Sequence, residues 1–411
     1  MDRRVALLRI SSNLALLVGS LAVTLGVAEL VLRAVVPSSK SYFTQVPGTD
    51  WTLTAAPDVL PGVEGDAHFR INDSGIRGRA FGADSTEFRM LAVGGSTTEC
   101  TILDETEVWT HLLEVNLERT AEGRRIWVGN VALAGKSTRD HVLHLKYLLP
   151  QYPRIDVVLA LVGANDLQVA LWQGWSYRLP ASVTEPAAEA ERMAFAFQRR
   201  PVAIHVPTGY KSTHVAWYKA TALWQVARRV HWTWHRHQTF KLPRLVPTLQ
   251  AARLERYKTQ NLIDSLPSLD APLVEYRRNL NAMADIAIKA GVELVFITQP
   301  SAWRQDMPDA QQRLLYAGAM ETTGQSDRSY YTTRALAVAM ARYNATLLAV
   351  CHQRGLDCVD AAAAMPRDTT ALYDDMHFNE HGARLFAGVL AEHFRRRPAF
   401  VGPLPRLHSG R

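Results

Sequence analysis

Three cysteines in 411 residues are too few for a disulfide scaffold, and none is spaced as a C-x-x-C pair, so neither disulfide staples nor a structural zinc knot carries the fold. Neither G-x-G-x-x-G nor G-x-x-x-x-G-K-[ST] occurs, which removes two common phosphate-cradling signatures. No repeat of solenoid period runs through the chain. Charged residues make up 21% and hydrophobic residues 47%, a balance that excludes disorder, collagen and coiled coil and leaves folding to a packed core. The formal net charge of +7 is compatible with an acidic partner and selects none.

Long apolar runs are scarce as well, with one exception. Residues 13–36 are apolar and uncharged up to Ala28, and after Glu29 the run resumes through Leu30, Val31 and Leu32 to Val36, enough to span a bilayer. Arg3, Arg4 and Arg9 precede the span, whereas Arg33 and Lys40 lie close after it. The positive-inside bias therefore puts residues 1–12 in the cytoplasm and predicts a single-pass signal-anchor of the inner or plasma membrane, with the catalytic part extracytoplasmic, on the periplasmic side. A cleaved signal peptide is the alternative, since Gly26 and Ala28 supply small residues, but the apolar run continues past them.

Residues 37–68, rich in Pro, Gly, Ser and Thr, read as a linker. Beyond them β-branched runs at Phe88 to Val93, Ile126 to Leu133, Val157 to Val162, Val292 to Thr298 and Leu356 to Val359 alternate with helical patterns. That alternation predicts right-handed crossovers, a parallel sheet with helices on both faces, and ligands beyond the carboxyl ends of the strands. Residues 167–270 break the rhythm as an insertion, and residues 399–411 form a tail. The domain proper is expected over 69–398.

Four stretches follow strands or precede the last helix. Gly94-Gly95-Ser96-Thr97-Thr98 exposes a hydroxyl on a tight turn. Gly135 closes the second strand's loop, and Gly163-Ala-Asn165-Asp166 follows the third. Their backbone N–H and side-chain amide groups are the donors that a developing oxyanion requires. Asp374-Asp375-Met376-His377 spaces a carboxylate three residues before an imidazole, close enough to hold its tautomer. Taken singly, each also reads as a glycine turn or a helix cap.

In this order the four resemble the SGNH branch of the GDSL esterase and lipase superfamily, particularly its membrane-anchored bacterial members. The segment Arg70-Ile-Asn-Asp-Ser-Gly-Ile-Arg-Gly78 also looks like the lead-in to the nucleophile block of such proteins. The resemblance implies a flavodoxin-like three-layer α/β/α sandwich with Ser96 as nucleophile, His377 as base and Asp374 as orienting acid. Ser96, Gly135 and Asn165 would supply the oxyanion hole. Gly95 stands where the eponymous aspartate would be, and Asp375 is the alternative acid, at the wrong spacing for the family pattern. The expected activity is hydrolysis of an acyl ester, on a glycan or a lipid, without metal or other cofactor. Transfer of the acyl group to a surface polysaccharide by the same triad, or a catalytically silent binding module, are the alternatives. Nucleic acid is not an expected partner.

The insertion carries a predicted helix over Trp217 to His237 with Ala220, Leu223, Ala227, Val230 and Trp234 on one face and a basic, aromatic opposite face. Trp232 and Trp234 are expected to wall the substrate, and His231, His235 and His237 lack the carboxylate or cysteine a metal site needs. Cys100 reads as a packed side chain rather than a nucleophile. For Cys351 and Cys358, which flank Gly355, a disulfide and two buried thiols remain equally open. Asn344-Ala-Thr346 matches a glycosylation sequon within a helical pattern, a chance match.

Overall fold

The computed structural model describes residues 3–35, 42–80 apart from 55 and 57, 86–197 apart from 153, 221–234, 237–241, 246–321 and 328–401. The chain divides into two compact units, Met1–Ser41 with Lys211–Arg236, and Tyr42–Tyr210 with His237–Arg411. In the first, α1 (Arg3–Val35) is one helix whose Asn13–Val35 stretch, of mean hydropathy 2.2, is long and apolar enough to cross a membrane.

The second unit begins where the sequence suggested a linker. There β1 (Asp50–Thr54) pairs antiparallel with β2 (Asp66–Arg70), Trp51 facing Phe69, and Trp51, Leu53, Val59, Leu60 and Val63 are buried. Alternation over so few residues leaves no legible strand signal, because a two-stranded ribbon is stable only once packed on a larger core.

Next, β3 (Phe88–Gly94) leads into α2 (Ser96–Glu99) and α3 (Trp109–Leu117), β4 (Ile126–Asn130) into α4 (Thr138–Leu148), and β5 (Val157–Leu161) into α5 (Ala164–Gln173). Every residue of these three strands is buried, as apolar runs must be when helices cover both faces. The insertion supplies α6 (Pro186–Ala196), α7 (Ala222–Trp234), β6 (His237–Lys241) and α8 (Val246–Lys258). The helix expected over Trp217 to His237 is shorter: residues 217–220 lie outside the described residues, and His237 instead opens β6, where parallel pairing with β1 overrides the helical pattern. The chain continues through β7 (Leu262–Ile263), α9 (Asp270–Ala290), β8 (Glu293–Ile297), α10 (Asp309–Gln312), β9 (Ala319–Met320) and β10 (Ser329–Tyr331). It ends in α11 (Thr333–Arg354), β11 (Cys358–Val359), α12 (Ala361–Ala364), α13 (Glu380–Arg395) and α14 (Pro398–Val401).

Strands β4, β3, β5, β8 and β11 lie side by side in that order, all parallel. By chain position this is the flavodoxin-like order that was expected, with α3 against α13 and α4, α9 and α11 packed in succession. The order reverses between β3 and β5, where Gly94 pairs with Leu161. Loops leaving the carboxyl ends of those two strands therefore face each other, at the point where α/β sheets bind ligands. A disulfide joins Cys351 of α11 to Cys358 of β11, with Cα atoms 6.3 Å apart, which answers the question left open above. Asn344 spends its side-chain amide on the backbone of Gln299, accepting at 3.0 Å and donating at 3.1 Å, so the sequon match is structural coincidence.

Candidate active site

Ser96 opens α2 directly after the glycine pair at the end of β3. The Glu99 and Cys100 N–H groups donate to the carbonyls of Gly95 and Ser96 at 2.9 Å each, so the serine stands on one closed helical turn. Far along the chain, Leu372 bridges Phe378 and the Tyr373 N–H donates to the His377 carbonyl at 3.0 Å, tightening the loop between them. Within it Asp374 Oδ1 accepts the N–H groups of Met376 (3.0 Å) and His377 (2.9 Å), which fixes the carboxylate in an Asx-type turn. The three-residue spacing then sets His377 Nδ1 at 2.9 and 2.8 Å from the two Asp374 oxygens, and His377 Nε2 at 2.7 Å from Ser96 Oγ. An ionised carboxylate only accepts, so Nδ1 carries the proton and Nε2 is left to accept from the hydroxyl. The three residues expected to act together form one hydrogen-bonded line.

Asp375, the alternative acid, turns the other way. Fully buried, it accepts from Trp303 Nε1 at 2.7 Å and from the N–H groups of Tyr316 (2.8 Å) and Ala317 (3.1 Å), anchoring the segment that brings the Tyr316 ring parallel to His377. Burial and the neighbouring Asp374 charge raise its pKa. Burial pushes the Cys100 thiol up to about 12, so it stays protonated and inert.

Burial disfavours charge on His377, but the charge and hydrogen bond of Asp374, followed by Asp375 and Glu99, outweigh it and raise the imidazole pKa. Burial also opposes ionisation of Asp374, and His377 with the two backbone N–H groups reverses that and lowers it. Hydrolysis through this imidazole is therefore expected to rise with pH about a midpoint above about 6.5, the ordinary imidazole value. In Asp374→Asn the main support for the imidazolium is gone while burial remains, so the midpoint of the residual activity moves to lower pH. Profiles of kcat/KM against pH for both enzymes check the sign.

Across the switch point, Asn165 is the second residue of α5 and donates from Nδ2 to the Lys136 carbonyl at 2.9 Å. A Cβ at Gly95 would lie 2.2 Å from that nitrogen, so the space taken by a side chain at this position is given to the amide. Gly95, Ser96, Lys136, Gly163, Asn165 and Gln299 line a small hollow there. Gly135, held at φ +74 in the loop after β4, is one residue from Lys136, and among the described residues no acceptor takes its N–H or that of Ser96. These are donors free to meet an anion. Asn165→Ala is expected to cut kcat by about 10²–10³ with a smaller change in KM, the usual effect of losing one preorganised donor. Gly95→Ala should do likewise by displacing the amide, and steady-state kinetics on both variants test the pair.

A family model for the GDSL-like Lipase/Acylhydrolase family matches residues 92–385, most of the chain and every site residue described above. The chain belongs to that family. It is thus an ester hydrolase of the serine type. Solved structures similar to this chain include a lipolytic G-D-S-L family protein from Veillonella parvula, at 10% identity, covering 75% of this chain and 100% of that one with a TM-score of 0.37. The acetylxylan esterase Axe2 from Geobacillus stearothermophilus matches at 12% identity over 76% and 95% of the two chains (TM-score 0.36), and an aryl esterase from M. smegmatis at 12% over 75% and 98% (TM-score 0.38). No curated protein matches the chain in sequence.

Several residues that build this acylhydrolase's site were not singled out from the sequence. Buried Arg77 donates to the carbonyls of Glu99, Cys100 (2.8 Å) and Leu103 (2.7 Å), gripping the segment after Ser96. Asn130 donates to the Thr98 carbonyl at 2.6 Å and accepts the Ala132 N–H at 2.9 Å, while Glu99 accepts the Ala134 N–H at 2.9 Å, so the serine turn and the Gly135 loop are tied together. A lone arginine between Ile76 and Gly78 was the available signal. Trp232 and Trp234, expected to wall the substrate, lie on α7 in the unit with α1. Trp234 is exposed there, and the side chain of Trp232 lies outside the described residues. The side chains of all three histidines, His231, His235 and His237, are likewise outside them, and no group of three or more metal-ligating side chains occurs among the described residues.

Proposed function

We propose that this hydrolase is a single-pass membrane enzyme that removes O-acyl groups from a glycan or lipid outside the cytoplasm through an acyl-serine intermediate. The observation that carries the chemistry is the 2.7 Å approach of Ser96 Oγ to an imidazole held by a buried carboxylate. Ser96 Oγ attacks the acyl carbon as its proton passes to His377 Nε2. The carbonyl π pair becomes an oxyanion held by the Ser96 and Gly135 N–H groups and the Asn165 amide. When the C–O bond breaks, the departing alkoxide takes the proton from His377. Water then repeats the sequence on the acyl-serine and frees the acid. Asp374 keeps the imidazole in register and stabilises its charged form. A fluorophosphonate should modify Ser96 alone, read as one adduct by peptide mass spectrometry, and deacylation of O-acetylated glycans and acyl lipids should proceed without an added acceptor. Labelling elsewhere overturns the mechanism, and product formed only when a sugar acceptor is supplied converts the hydrolase into a transferase.

The location rests on the apolar length of α1 and on the arginines placed before it. A reporter fused after Arg411 is expected to be active only outside the cytoplasm, with the protein in the membrane fraction and its first 36 residues retained. A soluble chain beginning near Glu29 would overturn the anchor and keep the export.

A further inference from the structure

Resting on that anchor reading, we infer that α7 is an interfacial helix lying on the outer surface of the bilayer that α1 spans, held at its depth by Glu29. α7 packs on α1, and the Glu29 carboxylate accepts the N–H groups of Ala222 and Leu223 at 2.9 Å each, while also pairing with Arg33 at 2.7 Å. Those partners account for a carboxylate within an apolar span, a position that is costly unless the charge is matched. At about 1.5 Å rise per residue Glu29 lies about 9 Å short of Val35, comparable to the roughly 5–10 Å that interfacial helices sink into the headgroup boundary. The start of α7 is thereby fixed near the end of the span.

The pattern along α7 fits that depth. Leu223, Ala227, Val230 and Trp234 recur at helical spacing, yet the stripe is not consumed by packing on α1: Val230 is 55% and Trp234 85% exposed. Arg228, Arg229 and His231 fall off the stripe on the same helix. An apolar stripe ending in tryptophan, flanked by cations and capped by a residue of a membrane span, is covered by the lipid surrounding that span. Trp234, which the sequence suggested as a substrate wall, is assigned here to the bilayer.

Single nitroxide-labelled cysteines, Val230→Cys, Arg228→Cys and Leu21→Cys, placed one at a time in the full chain in liposomes, test this by their relative accessibility to oxygen and to a water-soluble nickel chelate. The native Cys100 is buried and the other two cysteines are paired, so label goes to the introduced thiol. The probe at 230 is expected to favour oxygen at least several-fold over the probe at 228, and to approach the probe at 21. Equal nickel accessibility at 230 and 228, with 21 still shielded, overturns the interfacial helix and leaves the anchor intact. Nickel access at 21 overturns the anchor reading itself.

Discussion

Ser96→Ala and His377→Ala are each expected to lower ester turnover by about 10⁶-fold, with the double variant no worse than either, because in the proposed mechanism nucleophile and base act as one unit. Asp374→Asn, which keeps the size of the side chain but permits the wrong imidazole tautomer, should lose about 10⁴-fold. The melting temperature separates chemistry from folding. Ser96 Oγ bonds to His377 Nε2 and is only partly buried, so its removal should shift Tm by no more than about 2 °C. His377→Ala leaves the buried Asp374 carboxylate with two backbone N–H donors and should show a modest drop. Initial rates on a small activated ester, beside calorimetry, decide the matter. Wild-type turnover in Ser96→Ala would remove the serine from the reaction.

How far the site can be read from the sequence depends on the range of the interaction that makes each part. The strand Val157–Leu161 announces itself because a strand buried on both faces must be apolar throughout, and Gly94-Gly95 because a hydroxyl has to leave a strand end on a turn that no side chain obstructs. Asp374 and His377 are legible because their coupling spans one turn of chain. Asp375 is of the same type and adjacent, and only its partners Trp303 and the Tyr316 N–H, remote in sequence, reveal that its hydrogen bonds go to a loop rather than to the imidazole. The strands β1 and β6 fail for related reasons. β6, inside the insertion, gains its hydrogen bonds from β1, far back along the chain, so nothing local records it, and β1 pairs with its neighbour β2 over too few residues for alternation to show.

Arg77→Met is expected to lower stability by about 3–5 kcal/mol and Tm by on the order of 10 °C, although Arg77 touches none of the three residues of the line. Its guanidinium donates to three carbonyls, of Glu99, Cys100 and Leu103, all in the segment that follows Ser96, and stacks 4.7 Å over Phe69 of β2. Its backbone exchanges N–H and carbonyl with Asn130 at 2.9 and 3.0 Å, at the end of β4. One residue thus joins the lead-in, the serine turn and the strand that delivers the Gly135 loop. Methionine keeps much of the stem packing and takes away every donor, so the carbonyls of Glu99 and Leu103 must find water or stay unpaired at about 1–3 kcal/mol each, whereas that of Cys100 keeps the Leu103 N–H at 3.0 Å. Lysine keeps the charge but presents a single point where the three carbonyls are met by a fork, so Arg77→Lys should fall between methionine and wild type. If the grip sets the position of Ser96, fluorophosphonate labelling well below the lowered Tm should also slow, by about ten-fold or more, a displacement cost of the kind expected when a reacting group is misplaced. A destabilised Arg77→Met that still labels at the wild-type rate would make Arg77 a fold-stabilising residue with no hold on the serine. Undiminished Tm would show that the three carbonyls are satisfied without it.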